Sequence, residues 1–147
     1  MGTSTPPPDI WATATGEEAA RPTIYRYRKN RPNAVDAADF PFALRVSWPY
    51  DASVRNGMPP SEQNEAQVRF EDAIDCLGNG EHGCLMLVFT GNGRKEWLYY
   101  VRDPHQWTAI LTTCLADYPA YPLEIEHRRE REWDTWQDVA DSVTDGS

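Results

Sequence analysis

Apolar residues recur along the chain with two different periods, and each change of period marks a predicted element. Residues 10–15 and 23–28 lie on either side of a polar loop that contains Gly16 and Pro22, which predicts a β-hairpin, and residues 24–28 alternate as in a strand. Residues 42–48 alternate again and predict a third strand. This strand is predicted to turn one set of side chains toward the core: Phe42, Leu44, Val46 and Trp48.

Two later segments show the 3.6-residue spacing of amphipathic helices. The first begins at Ser61, an N-cap residue placed after two prolines, and is predicted to run to about Leu77. The second begins at Asp103, where an aspartate N-cap precedes a proline at the first helical position. Their apolar stripes are Ala66, Phe70, Ala73, Ile74 and Leu77 in the first helix and Trp107, Ile110, Leu111, Cys114 and Leu115 in the second.

The segments between and after these two helices predict a β-hairpin, a last strand and a short C-terminal helix. Residues 84–102 predict a β-hairpin that turns at residues 90–93, because the Asn and Gly residues there tolerate positive φ. Residues 123–127 alternate as a last strand. A short acidic helix is then predicted from about Glu130 to Val143.

The order of the predicted elements defines a fold class. From Phe42 onward the order strand-helix-strand-strand-helix-strand predicts an α+β fold of the ferredoxin-like split β-α-β type, an antiparallel sheet with two helices on one face. The N-terminal β-hairpin and the short C-terminal helix extend this unit. We therefore predict a disordered tail over residues 1–9, a single α+β domain over residues 10–129, and an acidic C-terminal helix and tail over residues 130–147.

Charge and composition narrow the range of functions. The chain of 147 residues carries a net charge of −9, which repels phosphate backbones at long range and makes nucleic acid a disfavoured partner. No apolar run approaches the ~20 residues that a membrane helix needs. The first residues lack the basic and apolar regions of a secretory signal. We therefore expect a cytoplasmic protein with no membrane partner.

The cysteines and histidines do not form a recognisable chemical motif. Cys76, Cys84 and Cys114 each lie in or beside an apolar segment, which predicts buried thiols of a reducing compartment and no disulfide. The three histidines are far apart in the sequence and have no ligand partner at metal-binding spacing, so no metal and no cofactor are expected. No residue is assigned a catalytic role.

An aromatic and basic strand is a candidate for nucleic-acid contact. Tyr25 and Tyr27 share one face of the predicted strand, and Arg26 and Arg28 share the other, with Arg31 following. Single-stranded nucleic acid is held by aromatic and basic groups together, whereas these lie on opposite faces. The pattern favours a tyrosine face in the core and an arginine face paired with acids of the chain itself, with a basic nucleic-acid face (Arg26, Arg28, Arg31) as the alternative.

The C-terminal segment carries a second candidate surface. On a helix, Trp133, Trp136, Ala140 and Val143 would line one face. Docking of this face on the parent domain is the favoured interpretation. Recruitment of a protein partner is the alternative, because tryptophan is enriched at interface hot spots.

Several residue groups carry a family resemblance: residues 47–50 (Ser-Trp-Pro-Tyr), residues 57–59 (Gly-Met-Pro), residues 90–94 (Thr-Gly-Asn-Gly-Arg) with Glu96-Trp97, and Tyr99-Tyr100 with Asp103. Over about residues 10–136 the chain resembles the bacterial domain-of-unknown-function family 695. Some members of that family carry the domain beside one similar to the protein regulator of ribonuclease E, which is ferredoxin-like. This association makes a role related to ribonuclease regulation an alternative, and the resemblance assigns no catalytic or ligand residues.

These observations favour a small non-enzymatic regulatory or protein-binding module, with a protein partner of unknown identity. One alternative is a nucleic-acid-linked regulator of the ribonuclease-regulation type that uses the face of Arg26, Arg28 and Arg31. The other is an enzyme with a small pocket around Trp48 and Trp97. The residues predicted to form a binding surface are Trp48, Tyr50, Arg94, Glu96, Tyr99, Trp133 and Trp136.

Overall fold

A computed structural model describes residues 11–32, 35–53, 55–78 and 80–145, with side chains to residue 142. The predicted tail over residues 1–9 and the side chain of Val143 lie outside the described residues. The described part of the chain forms six strands and three α-helices. They are β1 (Trp11–Glu18), β2 (Arg21–Arg28), β3 (Phe42–Pro49), α1 (Ser61–Ala73), β4 (Gly83–Gly91), β5 (Arg94–Val101), α2 (Pro104–Cys114), β6 (Glu124–Arg129) and α3 (Asp134–Asp145).

The six strands form one antiparallel sheet in the order β1-β2-β4-β5-β3-β6. The predicted hairpin of β4 and β5 is confirmed, since these strands are antiparallel neighbours. The N-terminal hairpin of β1 and β2 extends the sheet beside β4, as predicted. Strands β1 and β6 form the two edges, and the protein is therefore α+β with an open sheet.

Helices α1 and α2 cover the same face of the sheet, which we call the helix-pair face. Asp103 caps α2 by accepting hydrogen bonds from the main-chain nitrogens of His105 (2.9 Å) and Gln106 (3.3 Å), as its position before Pro104 predicted. The predicted apolar stripes supply the helix side of this core. Its buried members are Leu44, Val46, Trp48, Phe70, Ile74, Leu77, Val88, Trp97, Tyr99, Val101, Trp107 and Leu111.

Helix α1 ends earlier than its apolar stripe suggested. The α-helix stops at Ala73, and a separate 3-10 turn over Asp75–Leu77 carries the last apolar residue into the core. Helix ends commonly tighten into such turns. Ser61 is the first helical residue, and Pro60 occupies the N-cap position without a side-chain hydrogen bond.

The opposite face, which we call the α3 face, buries the C-terminal helix. Trp133 and Trp136 are 0% and 3% exposed and pack with Ala140 against the sheet. The Trp133 ring stacks on Tyr100 with centroids 4.6 Å apart and planes 9° apart. The favoured interpretation, docking on the parent domain, is therefore confirmed.

The start of this helix was predicted too early. Helix α3 begins at Asp134 and not near Glu130. Trp133 has φ 57°, and this left-handed conformation cannot belong to the α-helix that follows. Trp133 therefore precedes the helix, although it still packs edge-on against Trp136 at 6.4 Å.

Strand β4 is covered on both faces, since Val88 packs in the core of the helix-pair face and Met86 in that of the α3 face. An irregularity in its pairing with β5 lies between Leu85 and Leu87. Met86 and Leu87 consequently pack in the same core, on the α3 face, although they are adjacent in sequence. Among the described residues, no helix combines the length and apolar character required to cross a membrane.

Candidate binding site

One part of the α3 face is not covered by α3. Arg45, Ser47, Arg94 and Glu96 lie on this open part, since Arg45 pairs with Leu98 and Ser47 with Glu96 in the sheet register. The side chain of Arg45 is 42% exposed and that of Glu96 is 20% exposed. The sheet therefore presents charged side chains directly beside the aromatic core under α3.

Arg94 organises the charges on this open part. Its guanidinium contacts both carboxylate oxygens of Glu18, at 2.6 and 3.2 Å, and its Nε lies 3.0 Å from Glu96 Oε1. It also lies over the Phe89 ring, 4.4 Å from the centroid. The hydrogen bonds from Arg94 and then from Asn92 hold the pKa of Glu18 below its ordinary value. This arrangement joins the edge strand β1 to β5.

A shallow cleft of about 100 Å³ lies between this open part and the start of α3. Ala43 and Leu98 supply its apolar surface, and Arg45 and Arg128 supply positive charge. We call it the β3–β6 cleft. Its lining consists of Ala43, Arg45, Leu98, Glu126, His127, Arg128 and Glu130.

Glu130 is the buried acid of the cleft, at 6% exposure. Its carboxylate accepts hydrogen bonds from the Tyr100 hydroxyl (2.8 Å), from the nitrogen and hydroxyl of Thr135 (3.0 and 2.7 Å), and from Arg128 Nε (2.6 Å). Burial raises the pKa of Glu130, but the hydrogen bonds from Thr135, Tyr100 and Arg128 outweigh it and the pKa is lowered. Glu130 is therefore an ionised group that fixes the start of α3.

Arg45, Glu126 and Arg128 are the accessible charges of the cleft, and Arg128, whose side chain is 70% exposed, is already hydrogen-bonded to Glu130. Arg45 and Glu126 are paired in the register of β3 and β6. Arg45 Nε lies 3.9 Å from Glu96, which is beyond hydrogen-bond distance. Glu126 is exposed on the edge strand. The cleft therefore offers the Arg45 guanidinium, the Glu126 carboxylate and the Glu130-paired Arg128 guanidinium beside an apolar floor.

Most residues of the predicted binding surface lie in the core. Trp48 and Tyr99 are buried on the helix-pair face, whereas Trp133 and Trp136 are buried on the α3 face. Tyr50 is half-buried, and its hydroxyl donates to the main-chain oxygen of Gly57 at 2.8 Å. Arg94 and Glu96 do lie together, but on the opposite face of the sheet from Trp48 and Tyr99. The structure therefore does not assemble the predicted residues into one surface.

The three arginines of the predicted basic face have separate structural roles. Arg26 lies 3.8 Å from Glu71, and Arg28 is buried with its Nε donating to the Leu85 oxygen at 2.7 Å. Arg31 donates to the Glu132 oxygen at 2.8 Å and lies over the rings of Trp133 and Trp136. The tyrosine side is in the core, as predicted, since Tyr27 is buried on the α3 face.

A second charged cluster lies under α1. Glu71 accepts a hydrogen bond from Trp97 Nε1 at 2.9 Å and lies 3.9 Å from the Lys95 ammonium. Burial lowers the pKa of Lys95, although the Glu71 carboxylate acts in the opposite direction. Trp97 and its neighbour Trp48 are packed in the core, with ring centroids 6.5 Å apart. Glu71 links α1 to the sheet beside these two rings.

The cysteines differ from the prediction of three buried thiols. Cys84 is buried, but Cys76 is exposed and Cys114 is half-buried. No disulfide is present among the described residues. Cys76 falls outside the apolar stripe of α1, in the 3-10 turn that follows the helix, and this local change of geometry brings it to the surface. In the described part of the chain, no three His, Cys, Asp or Glu side chains are grouped as a metal site.

The architecture defines an α+β protein with a six-stranded antiparallel sheet and a polar cleft beside its third helix. The chain belongs to DUF695, a family of unknown function, whose model matches residues 9–139. This match confirms the family resemblance carried by residues such as Trp48 and Trp97. Among curated proteins, no match to the chain is found.

Proposed function

We propose that the protein is a non-enzymatic, regulatory protein-binding module whose site is the β3–β6 cleft. The observation that carries this proposal is the size of the cleft. At about 100 Å³ it is smaller than the ~300–1,000 Å³ of typical small-molecule sites. It has room for one side chain of a protein partner and not for a whole metabolite.

The charge of the chain supports a basic partner. The net charge of −9 attracts positively charged surfaces and speeds their association. Within the cleft, an arginine or lysine side chain can lay its aliphatic part on Ala43 and Leu98 and direct its charge toward Glu126. The two guanidiniums of the cleft repel such a ligand, but each has a carboxylate neighbour that offsets this repulsion. Glu96 lies 3.9 Å from Arg45, and Glu130 lies 2.6 Å from Arg128.

We further propose that the core is ferredoxin-like and that the protein is cytoplasmic. The strand order β6-β3-β5-β4 and the shared face of α1 and α2 support the ferredoxin-like arrangement. A reducing compartment is supported by the unbonded thiols of Cys76 and Cys114. The nucleic-acid alternative has less support, because Arg26, Arg28 and Arg31 are engaged in separate contacts.

Charge reversal within the cleft tests the proposal. Isotope-labelled protein is titrated with short arginine-containing peptides and with glutamate-containing peptides of equal length. We expect amide shifts from the arginine peptides to cluster at Ala43, Leu98 and Glu126, and to weaken as salt increases. Glu126→Arg should remove them, whereas Glu62→Arg, an exposed glutamate on α1, should not. Shifts that survive Glu126→Arg, or that spread over the helix-pair face, would contradict this site.

A further inference from the structure

Two cysteines that are distant in sequence meet at the surface. Cys76 Sγ and Cys114 Sγ lie 4.0 Å apart, although 38 positions separate them in the chain. Cys76 is exposed and Cys114 is half-buried. The pair lies on the helix-pair side of the molecule, because α2 packs there.

The surrounding structure holds this spacing in place. Cys76 belongs to the 3-10 turn Asp75–Leu77, and Cys114 is the last residue of α2. The Leu77 main-chain oxygen accepts a hydrogen bond of 3.1 Å from Trp107 Nε1, which ties the turn to α2. Leu77 and Leu111 are both buried in the core between these elements. Core packing therefore holds the two elements that carry the thiols next to each other.

We propose that Cys76 and Cys114 form a reversible dithiol–disulfide site that is oxidised by low-molecular-weight disulfides such as oxidised glutathione. In the first step the Cys76 thiolate attacks one sulfur of the reagent, a mixed disulfide forms, and one glutathione thiolate leaves. In the second step the Cys114 thiolate attacks the Cys76 sulfur and expels the other glutathione thiolate. Two protein thiols are oxidised and one reagent disulfide is reduced, with their two protons passing to solvent or to the released thiolates.

The solvent exposure of the cysteines indicates which thiol attacks the reagent first. The reagent can reach Cys76, whereas Cys84 is buried and is excluded. Burial, and then the neighbouring Cys76 thiol, raise the pKa of Cys114, which lowers its thiolate fraction and disfavours it as the first nucleophile. To form the bond, the sulfurs must approach from 4.0 Å to the ~2.05 Å of a disulfide.

The cross-link has a consequence for stability that is independent of the proposed cleft. It would connect the turn after α1 to the end of α2 and so restrict the unfolded chain. We expect the oxidised protein to melt roughly 5–15 °C higher than the reduced protein. The cleft lies on the opposite face of the sheet, so peptide binding there should be unchanged by oxidation.

The test combines thiol mapping with melting measurements. Full-length protein is incubated with oxidised glutathione, its remaining thiols are alkylated, and it is digested with trypsin and with a protease that cuts after glutamate. Trypsin alone leaves Cys76 and Cys84 in one peptide, and the cut after Glu81 separates them. We expect a Cys76–Cys114 cross-link, loss of two thiols, a higher Tm, and full reversal by dithiothreitol.

Single-cysteine variants provide the controls. Cys84→Ala should retain the cross-link and the rise in Tm. Cys76→Ser and Cys114→Ser should lose both, and Cys114→Ser should accumulate glutathione on Cys76. The proposal is overturned if wild-type protein keeps three thiols, if it stops at a glutathione adduct, or if Cys84 is the cross-linked residue.

Discussion

The indole nitrogen of Trp136 donates a hydrogen bond of 2.8 Å to the main-chain oxygen of Arg28. These residues are 108 positions apart, so the bond attaches the C-terminal helix to the N-terminal hairpin. The Trp136 ring is also 3% exposed, and it lies edge-on to Trp133. A single side chain therefore supplies both apolar burial and a polar link between the two ends of the described chain.

Replacing this ring should lower stability strongly. Trp136→Ala removes the buried indole and leaves a cavity on the α3 face, for which we expect a loss of about 3–5 kcal/mol in the free energy of unfolding. Denaturant unfolding measures the loss. Asp138→Ala, an exposed position of α3, is the matched control and should change stability by less than about 0.5 kcal/mol. Equal free energies of unfolding for Trp136→Ala and Asp138→Ala would contradict the docked position of α3.

The Glu130 carboxylate should make stability depend on pH. Its pKa in the folded protein is below the ordinary 4.5, so its ionised form stabilises the fold above that pH, and this stabilisation is lost as pH falls through the folded pKa. Glu130→Gln should therefore be less stable at neutral pH by about 1–3 kcal/mol. The difference from wild type should shrink as the solution is acidified below pH 4.5.

Melting curves across the acid range provide the measurement. Glu132→Gln, which changes an exposed neighbour, serves as the control and should follow the wild-type curve. A constant difference between Glu130→Gln and wild type at all pH values would show that the carboxylate charge has no part in fixing α3.

The strands, the first turn of α2 and the β4–β5 turn could be predicted because local chemistry determines them. Asp103 and Pro104 cap a helix through contacts within a few residues, and Asn92 adopts φ 48° in a turn that favours it. The shared face of Leu44, Val46 and Trp48 followed from strand alternation, which the sheet preserves. These features need no knowledge of distant parts of the chain.

The candidate site could not be predicted in the same way, because it depends on tertiary packing. Arg45 and Arg128 come from strands that the sequence places far apart, and only the register of β3 with β6 brings them to one cleft. Cys76 and Cys114 meet because the turn after α1 packs against α2, and periodicity carries no signal for that contact. Trp133 has φ 57° and therefore lies outside the helix. Its spacing relative to Trp136 is that of an amphipathic helix, so the sequence gives no sign of this.

Single-stranded RNA should not bind at physiological salt. The net charge of −9 repels the phosphate backbone. Arg26 contacts Glu71, Arg28 donates to the Leu85 oxygen, and Arg31 donates to the Glu132 oxygen. Fluorescence anisotropy with labelled single-stranded RNA should show no measurable association. Tight binding that is lost in the Arg26→Glu, Arg31→Glu double variant would instead support the nucleic-acid alternative.

Arg94 and Glu18 should be energetically coupled. Their bidentate contact, at 2.6 and 3.2 Å, joins β5 to the edge strand β1, while Arg94 also lies over Phe89. A double-mutant cycle of Arg94→Gln and Glu18→Gln should give a coupling of about 0.5–1 kcal/mol that weakens as salt increases, because both side chains are partly exposed.

The neighbouring glutamate supplies a matched control for this cycle. Glu17 is exposed on the same strand but points to the opposite face of the sheet from Glu18. Arg94→Gln combined with Glu17→Gln should therefore be additive within about 0.3–0.5 kcal/mol. Because Glu18 anchors the end of β1, Glu18→Gln should also speed amide hydrogen exchange in β1 relative to β5. Equal coupling in both cycles would show that Arg94 acts through general charge and not through its contact with Glu18.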